Sequence, residues 1–279
     1  TGKSGGTETS LKLWDAATGD EVFAAQAGLI YNVAFSPDGK LLASVGAGAT
    51  LWHVAERRKL LTFGKGVFYS VAFAPRDGKI LATGSPDGLV RLWDVSNGRE
   101  LYTLQASAKG TPNQSQGIES LHFSTDGQFL ATACHDGTLK VWETATGREV
   151  WRRERAENGL SAVAYSPDGK LVATGGAGST IQFWDAATGA PLAELEGHAD
   201  LITFITFSPD GRRLATASRD NTLRLWDVDT QQEVAALKGH DAPINNIAFS
   251  PFDGQMIATA SADRTVRLWR ANAKQSLSR

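Results

Sequence analysis

The chain has one cysteine, one methionine, no long apolar run and no excess of charge of either sign. With Cys134 alone, no disulfide can form within the chain, which fits a reducing compartment such as the cytoplasm. Without an apolar run of membrane-spanning length or an opening signal peptide, nothing marks it as a membrane or secreted protein. The 28 basic and 30 acidic residues leave a net charge of −2, and no basic stripe replaces the missing excess, so nucleic acid is not expected as a partner. The short clusters Arg57, Arg58, Lys59 and Arg152, Arg153, Arg155 read as solvated strand edges. The chain opens on Thr1, and Met256 is its only methionine, so it is read as a piece of a longer protein.

Catalytic constellations are lacking as well. The five histidines, His53, His122, His135, His198 and His240, are scattered, and none has zinc-ligand spacing with Cys134. The recurring Asp-Gly pairs lack the alternating ligands of a calcium loop and are explained as turn residues. Lys3-Ser4 has only Thr1-Gly2 before it, so no phosphate-binding loop can be built there. No cofactor and no metal are expected, and the chain is not read as an enzyme.

Tryptophan is what the sequence has in plenty, and it is periodic. Trp14, Trp52, Trp93, Trp142, Trp184, Trp226 and Trp269 follow at intervals of 38, 41, 49, 42, 42 and 43 residues; only Trp151 stands outside the series. Four of the seven are followed by Asp: Asp15, Asp94, Asp185 and Asp227. Each unit reads as four short strands, a to d. In the unit of Trp226, Ile202 to Phe207 is an apolar strand a. Ser208-Pro209-Asp210-Gly211 is a turn, with Pro presetting φ and Gly accepting a positive one. Arg213 to Ala217 is strand b, Thr222 to Trp226 strand c, and Glu233 to Leu237 strand d. The first turn recurs at Ser36-Pro37-Asp38-Gly39, Ser166-Pro167-Asp168-Gly169 and, altered, Ser124-Thr125-Asp126-Gly127.

A unit of about 40–45 residues with four strands and a terminal Trp-Asp resembles the WD40 repeat over essentially the whole chain. The resemblance implies one all-β domain, residues 1–279: a β-propeller with strand a of each blade innermost. Counting tryptophans gives seven blades, one of them incomplete. The unit of Trp14 has strands c and d, a trace of b at Thr1-Gly2 and no strand a; a last strand d is expected to begin near Leu277. Missing strands outside the chain are expected to close the ring.

The resemblance also implies a buried tetrad of His, Ser or Thr, Asp and Trp in each blade. Two repeats match it fully: His198, Thr216, Asp220, Trp226 and His240, Thr259, Asp263, Trp269. The sets Thr83, Asp87, Trp93 and Thr132, Asp136, Trp142 lack the histidine, and Gly178 stands where the repeat of Thr174 and Trp184 should have Asp.

The resemblance implies a non-catalytic scaffold or sensor that binds a protein or peptide on the face of the d–a and b–c loops. Candidate contacts there are Pro86, His135, Arg219 and Arg264, at or beside b–c turns, and the polar insertion Gln105 to Glu119. Trp151, on an outer strand beside two arginines, is a candidate second contact or simply rim packing. The phrase Trp-Asp-Ala-Ala-Thr-Gly, at 14–19 and 184–189, resembles WD40 regions of large bacterial signalling proteins, which implies an effector domain in the same full-length chain. A structural subunit of a large assembly is the alternative reading, and an enzyme using the channel mouth a remoter one.

Overall fold

The computed structural model describes residues 10–15, 18–107, 117–154, 159–251 and 253–270. Thr1-Gly2, the expected start of strand d near Leu277 and the middle of the insertion lie outside the described residues.

Every described element is a strand. A hairpin, β1 (Ser10–Trp14) and β2 (Glu21–Gln26), opens the chain. Blade 1 is β3 (Ile30–Phe35), β4 (Leu41–Gly46), β5 (Gly48–His53) and β6 (Arg58–Phe63). Blade 2 is β7 (Ser70–Phe73), β8 (Ile80–Gly84), β9 (Leu89–Asp94) and β10 (Glu100–Gln105). Blade 3 is β11 (Ile118–Phe123), β12 (Phe129–Cys134), β13 (Thr138–Glu143) and β14 (Arg148–Glu154). Blade 4 is β15 (Leu160–Tyr165), β16 (Leu171–Gly176), β17 (Ile181–Asp185) and β18 (Pro191–Leu195). Blade 5 is β19 (Ile202–Phe207), β20 (Arg213–Ser218), β21 (Leu223–Asp227) and β22 (Glu233–Leu237), and blade 6 is β23 (Ile244–Phe249), β24 (Met256–Ser261) and β25 (Val266–Arg270). Each blade is an antiparallel meander in chain order. The first strands β3, β7, β11, β15, β19 and β23 pack on one another in succession and so line the axis.

Local chemistry explains the meanders. In the a–b turn of blade 5, the Ser208 hydroxyl donates to Asp210 (2.6 Å) and accepts from the Arg213 amide (2.9 Å), while Gly211 takes φ 73°. Where Asp follows the Trp, it closes the c–d turn. The Asp185 carboxylate accepts from the Thr188 amide (2.8 Å) and hydroxyl (2.7 Å), and Gly189 follows at φ 68°. Trp-Asp-x-x-Thr-Gly is therefore a turn signature as well as a strand ending.

Blades are held together by apolar faces. Strands b and c of one blade offer small and branched residues to strand a of the next: Ala215, Ala217 and Leu223 of blade 5 meet Ile244 and Ile247 of blade 6. The same arrangement joins blades 1 and 2, 2 and 3, 3 and 4, and 4 and 5. Each fully buried Ile or Leu contributes about 1.5–3 kcal/mol.

The expectation of seven blades, one incomplete, is corrected: the described residues form six blades, five of four strands and one of three, with the two-stranded hairpin resting on blade 1 through Leu11, Leu42 and Trp52. Among the described residues, the hairpin supplies a c-like and a d-like strand without the inner strands that give a blade its buried face. Its Trp14 is half exposed, whereas Trp52, Trp93, Trp142, Trp184 and Trp226 are buried. Among the described residues, no buried cluster joins blade 6 to blade 1. Val266 and Leu268 of blade 6 are 54% and 60% exposed, where their blade 5 counterparts are fully buried (Leu223) and partly buried (Leu225).

Candidate functional site at the channel mouth

The tetrads set the rigidity of the walls. In blade 5, Trp226 Nε1 donates to Thr216 Oγ1 (2.9 Å), His198 Nε2 lies 2.8 Å from the same oxygen, and His198 Nδ1 lies 2.8 Å from Asp220. Indole N–H can only donate, which leaves the Thr216 proton free to go to Nε2, and the Nδ1 proton then faces the carboxylate. That assignment makes the ring neutral. Burial lowers the His198 pKa, which favours the same state. Burial opposes ionisation of Asp220, but hydrogen bonds from Thr222, the Ala199 amide and His198 outweigh it and hold the pKa down to about 2. Blade 6 repeats the set with His240, Thr259, Asp263 and Trp269 at 2.7–2.8 Å.

The repeats without a histidine found other donors. In blade 2, Trp93 donates to Thr83 (2.8 Å), and Arg91 bridges Ser85 (2.7 Å) and Asp87 (2.9 Å). In blade 3, Trp142 donates to Thr132 (3.1 Å), and the Ser107 hydroxyl reaches Asp136 (2.6 Å). Blade 4 keeps only Trp184 to Thr174 (2.9 Å), with Ala177, Gly178 and Ser179 forming a small b–c turn.

The feature that sequence reasoning missed lies in register. The innermost strands of blades 1, 3, 4, 5 and 6 carry a bulge at their second residue, which has no partner on strand b. The bulge residues are Tyr31, Glu119, Ser161, Thr203 and Asn245; Tyr69, just before β7, holds the same place in blade 2, its amide bonded to the Gly84 carbonyl (2.8 Å). A bulge re-aims its side chain and bends the strand. Repeated around the axis, it sets one side chain per blade at the channel mouth on the d–a and b–c side. Ser161 and Thr203 spend their hydroxyls on the next blade, donating to the Ile202 and Ile244 carbonyls. Tyr31 and Tyr69 meet edge to face, 5.0 Å apart at 81°. The sequence signal was a residue of any type after the first buried apolar residue of each strand a, too weak to see without the register.

Glu119 is the ionisable member of this ring. Its carboxyl is partly buried, and that burial raises its pKa, with the charges of His135 and Arg219 opposing the rise. Two sequence-predicted residues, His135 of blade 3 and Arg219 of blade 5, thus act on this carboxyl through their charge, without a hydrogen bond or ion pair to it among the described residues. Both are exposed. Pro86 backs onto Gly117, just before β11. Arg264 is exposed in the b–c turn of blade 6 at φ 70°, apart from this group.

Trp151, a candidate second contact or rim packing, is buried in the rim. It is 8% exposed, donates from Nε1 to the Ala186 carbonyl (2.9 Å) and packs beneath Gly189, with Arg153 5.8 Å from its ring. Tyr102 does the same one blade earlier, its hydroxyl donating to Ala145 (2.9 Å). An outer-strand aromatic therefore clamps the next blade's c–d turn.

Below the mouth, a cavity of about 590 Å³ runs down the axis. His122 faces it, accepting from the Tyr165 amide at Nδ1 (3.3 Å), where most other blades have alanine. The surrounding walls lower its pKa. Among the described residues, no group of three or more His, Cys, Asp or Glu could hold a metal ion, and no helix is long and apolar enough to cross a membrane.

A family model, "WD domain, G-beta repeat", matches residues 21–52, 58–94, 99–143, 151–185, 189–227 and 231–270. The chain belongs to the WD40 family. Each match begins on or near an outer strand d and runs through a, b and c of the next blade, so the WD40 unit straddles two blades and locks them covalently. Trp14 lies outside all six matches, in keeping with the six-blade count. No curated protein matches the chain. WD40 propellers are in general scaffolds for protein interaction.

Proposed function

We propose that this WD40 propeller is a non-catalytic interaction platform that docks a protein or peptide over the channel mouth on its d–a and b–c face. One observation carries the reading: the bulges aim a ring of side chains, one per blade, at a single opening, with Glu119, His135 and Arg219 gathered there. A rigid ring with preset side chains suits docking, because little ordering entropy is lost on binding. The buried Cys134 fits a reducing, cytoplasmic setting. The finer reading is that the propeller serves as the sensor of a larger signalling protein that carries an effector domain; the alternative is a structural subunit of an assembly.

A photo-crosslinking residue tests the face. Placed at His135, it is expected to capture discrete partners in the cells that make the protein. The same label at Asp229, on a c–d turn of the opposite face, is expected to capture none. Capture from Asp229 alone would overturn the assignment of the face.

A further inference from the structure

We infer that Glu119 is the specificity-determining residue of the channel mouth, and that the ligand is a peptide which inserts a basic side chain, best an arginine, against it. The inference rests on the platform reading and names its partner chemistry.

The bulge between Ile118 and Ser120 is what turns Glu119 to the mouth. Its bulge neighbours in blades 4 and 5 satisfy their polar atoms within the protein. Glu119 differs: among the described residues it forms no hydrogen bond and no ion pair, and it meets His135 and Arg219 only through their charge at longer range. A partly buried carboxylate without donors is costly, and its oxygens can only accept. The group that relieves it must carry donors and positive charge. A guanidinium offers paired N–H groups in the geometry of a carboxylate.

The surroundings select further. The preceding blade places Tyr69 at the equivalent position, edge to face with half-exposed Tyr31. Aromatic faces and edges suit the apolar stem and planar head of arginine. One carboxylate without companions is too few for a divalent cation. Nucleic acid is disfavoured by a carboxylate at the centre of the site. At the rim, exposed His135 supplies a donor to a peptide backbone or to an acidic neighbour in the same peptide, which a simple amine does not offer.

The test compares acetyl-Gly-Arg-Gly-amide with its citrulline counterpart, equal in shape but uncharged, titrated into the full chain and followed by NMR. The arginine peptide is expected to bind at least tenfold more tightly. Glu119→Gln should erase that difference, and Glu119→Asp should keep part of it. Arg219→Gln removes a competing cation and should tighten arginine binding at low salt, a gain that misfolding cannot mimic. Equal binding of the two peptides, or an undiminished preference in Glu119→Gln, would overturn the inference. If the His135 crosslink still captures a partner in that case, the platform stands and only the basic ligand falls. If that crosslink captures nothing, the platform falls as well.

Discussion

Thr216→Val is the sharpest probe of what holds a blade together. Valine has nearly the shape of threonine, so packing is preserved and only the hydroxyl is lost. Thr216 is fully buried, and its oxygen serves two partners: it accepts from Trp226 Nε1 and faces His198 Nε2. Both are left unpaired in the variant, and both are buried, at 2% and 7% exposure. An orphaned buried polar group costs about 1–3 kcal/mol. The loss in blade 5 should therefore be about 2–6 kcal/mol, two orphans at that cost each. Thr174→Val in blade 4 is the internal control, because Thr174 is equally buried but serves only Trp184. Its loss should be about 1–3 kcal/mol, by the same cost for one orphan. Blades of a repeat protein can open separately, so hydrogen exchange resolved by blade is the right assay rather than a single melting point. If Thr174→Val costs as much as Thr216→Val or more, the histidine adds nothing to the network and the tetrad argument fails.

Three further outcomes are expected. Stability carried by blade 5 should fall with acid. The folded pKa of His198 is depressed below 6.5, so its contribution is complete above that value and declines as pH drops through the folded pKa; Asp220 adds a second decline between 3.8 and about 2. Melting at stepped pH should show both declines in the native chain, and an increase of stability on acidification would contradict the sign. Gly189→Ala should destabilise by more than about 1 kcal/mol, because alanine must adopt φ 68° and its Cβ would sit 2.7 Å from the Trp151 ring; an unchanged urea midpoint would show that the clamp is slack. Cys134 is fully buried, and burial raises its thiol pKa. It should therefore ignore a thiol reagent in the native state and react on unfolding, whereas prompt native labelling would mean that blade 3 opens readily.

What could be read from the chain alone was whatever repeats in spacing. Tryptophan periodicity, the Ser-Pro-Asp-Gly turns and the two complete tetrads are local or fixed-interval signals, and the structure brings those residues together. The blade count failed because a tryptophan marks strand c, not a blade, and among the described residues Trp14 has a strand c without the inner strands that would bury it. The substitute donors Arg91 and Ser107 escaped notice because each enters from outside the histidine's place in the repeat, one from strand c and one from the d–a loop. Trp151 was legible as an outer-strand aromatic, but only the neighbouring blade's turn shows that it is covered.

The bulge ring explains why His135 and Arg219 could be suspected singly, while Glu119 entered only as the end of a polar insertion. A residue beside a b–c turn is found by counting from Asp-Gly or Asp-Asn, since the turn fixes its place. A residue turned by a bulge has no such marker, because the extra residue appears only when strand a is laid against strand b. In this propeller the turns supply the rim of the mouth and the bulges its inner ring. The division has a physical basis. Turn residues can vary without disturbing pairing, so they adjust the rim freely. A bulge side chain leaves from the strand that lines the axis, held on its outer side by strand b and on its flanks by the neighbouring blades. It therefore has little freedom to move away from a poorly matched ligand. Discrimination between ligands should accordingly be sharper at Glu119 than at Arg219. Charge reversal at Arg219 should change how fast a partner arrives and how strongly salt slows it, whereas neutralising Glu119 should change which partner stays.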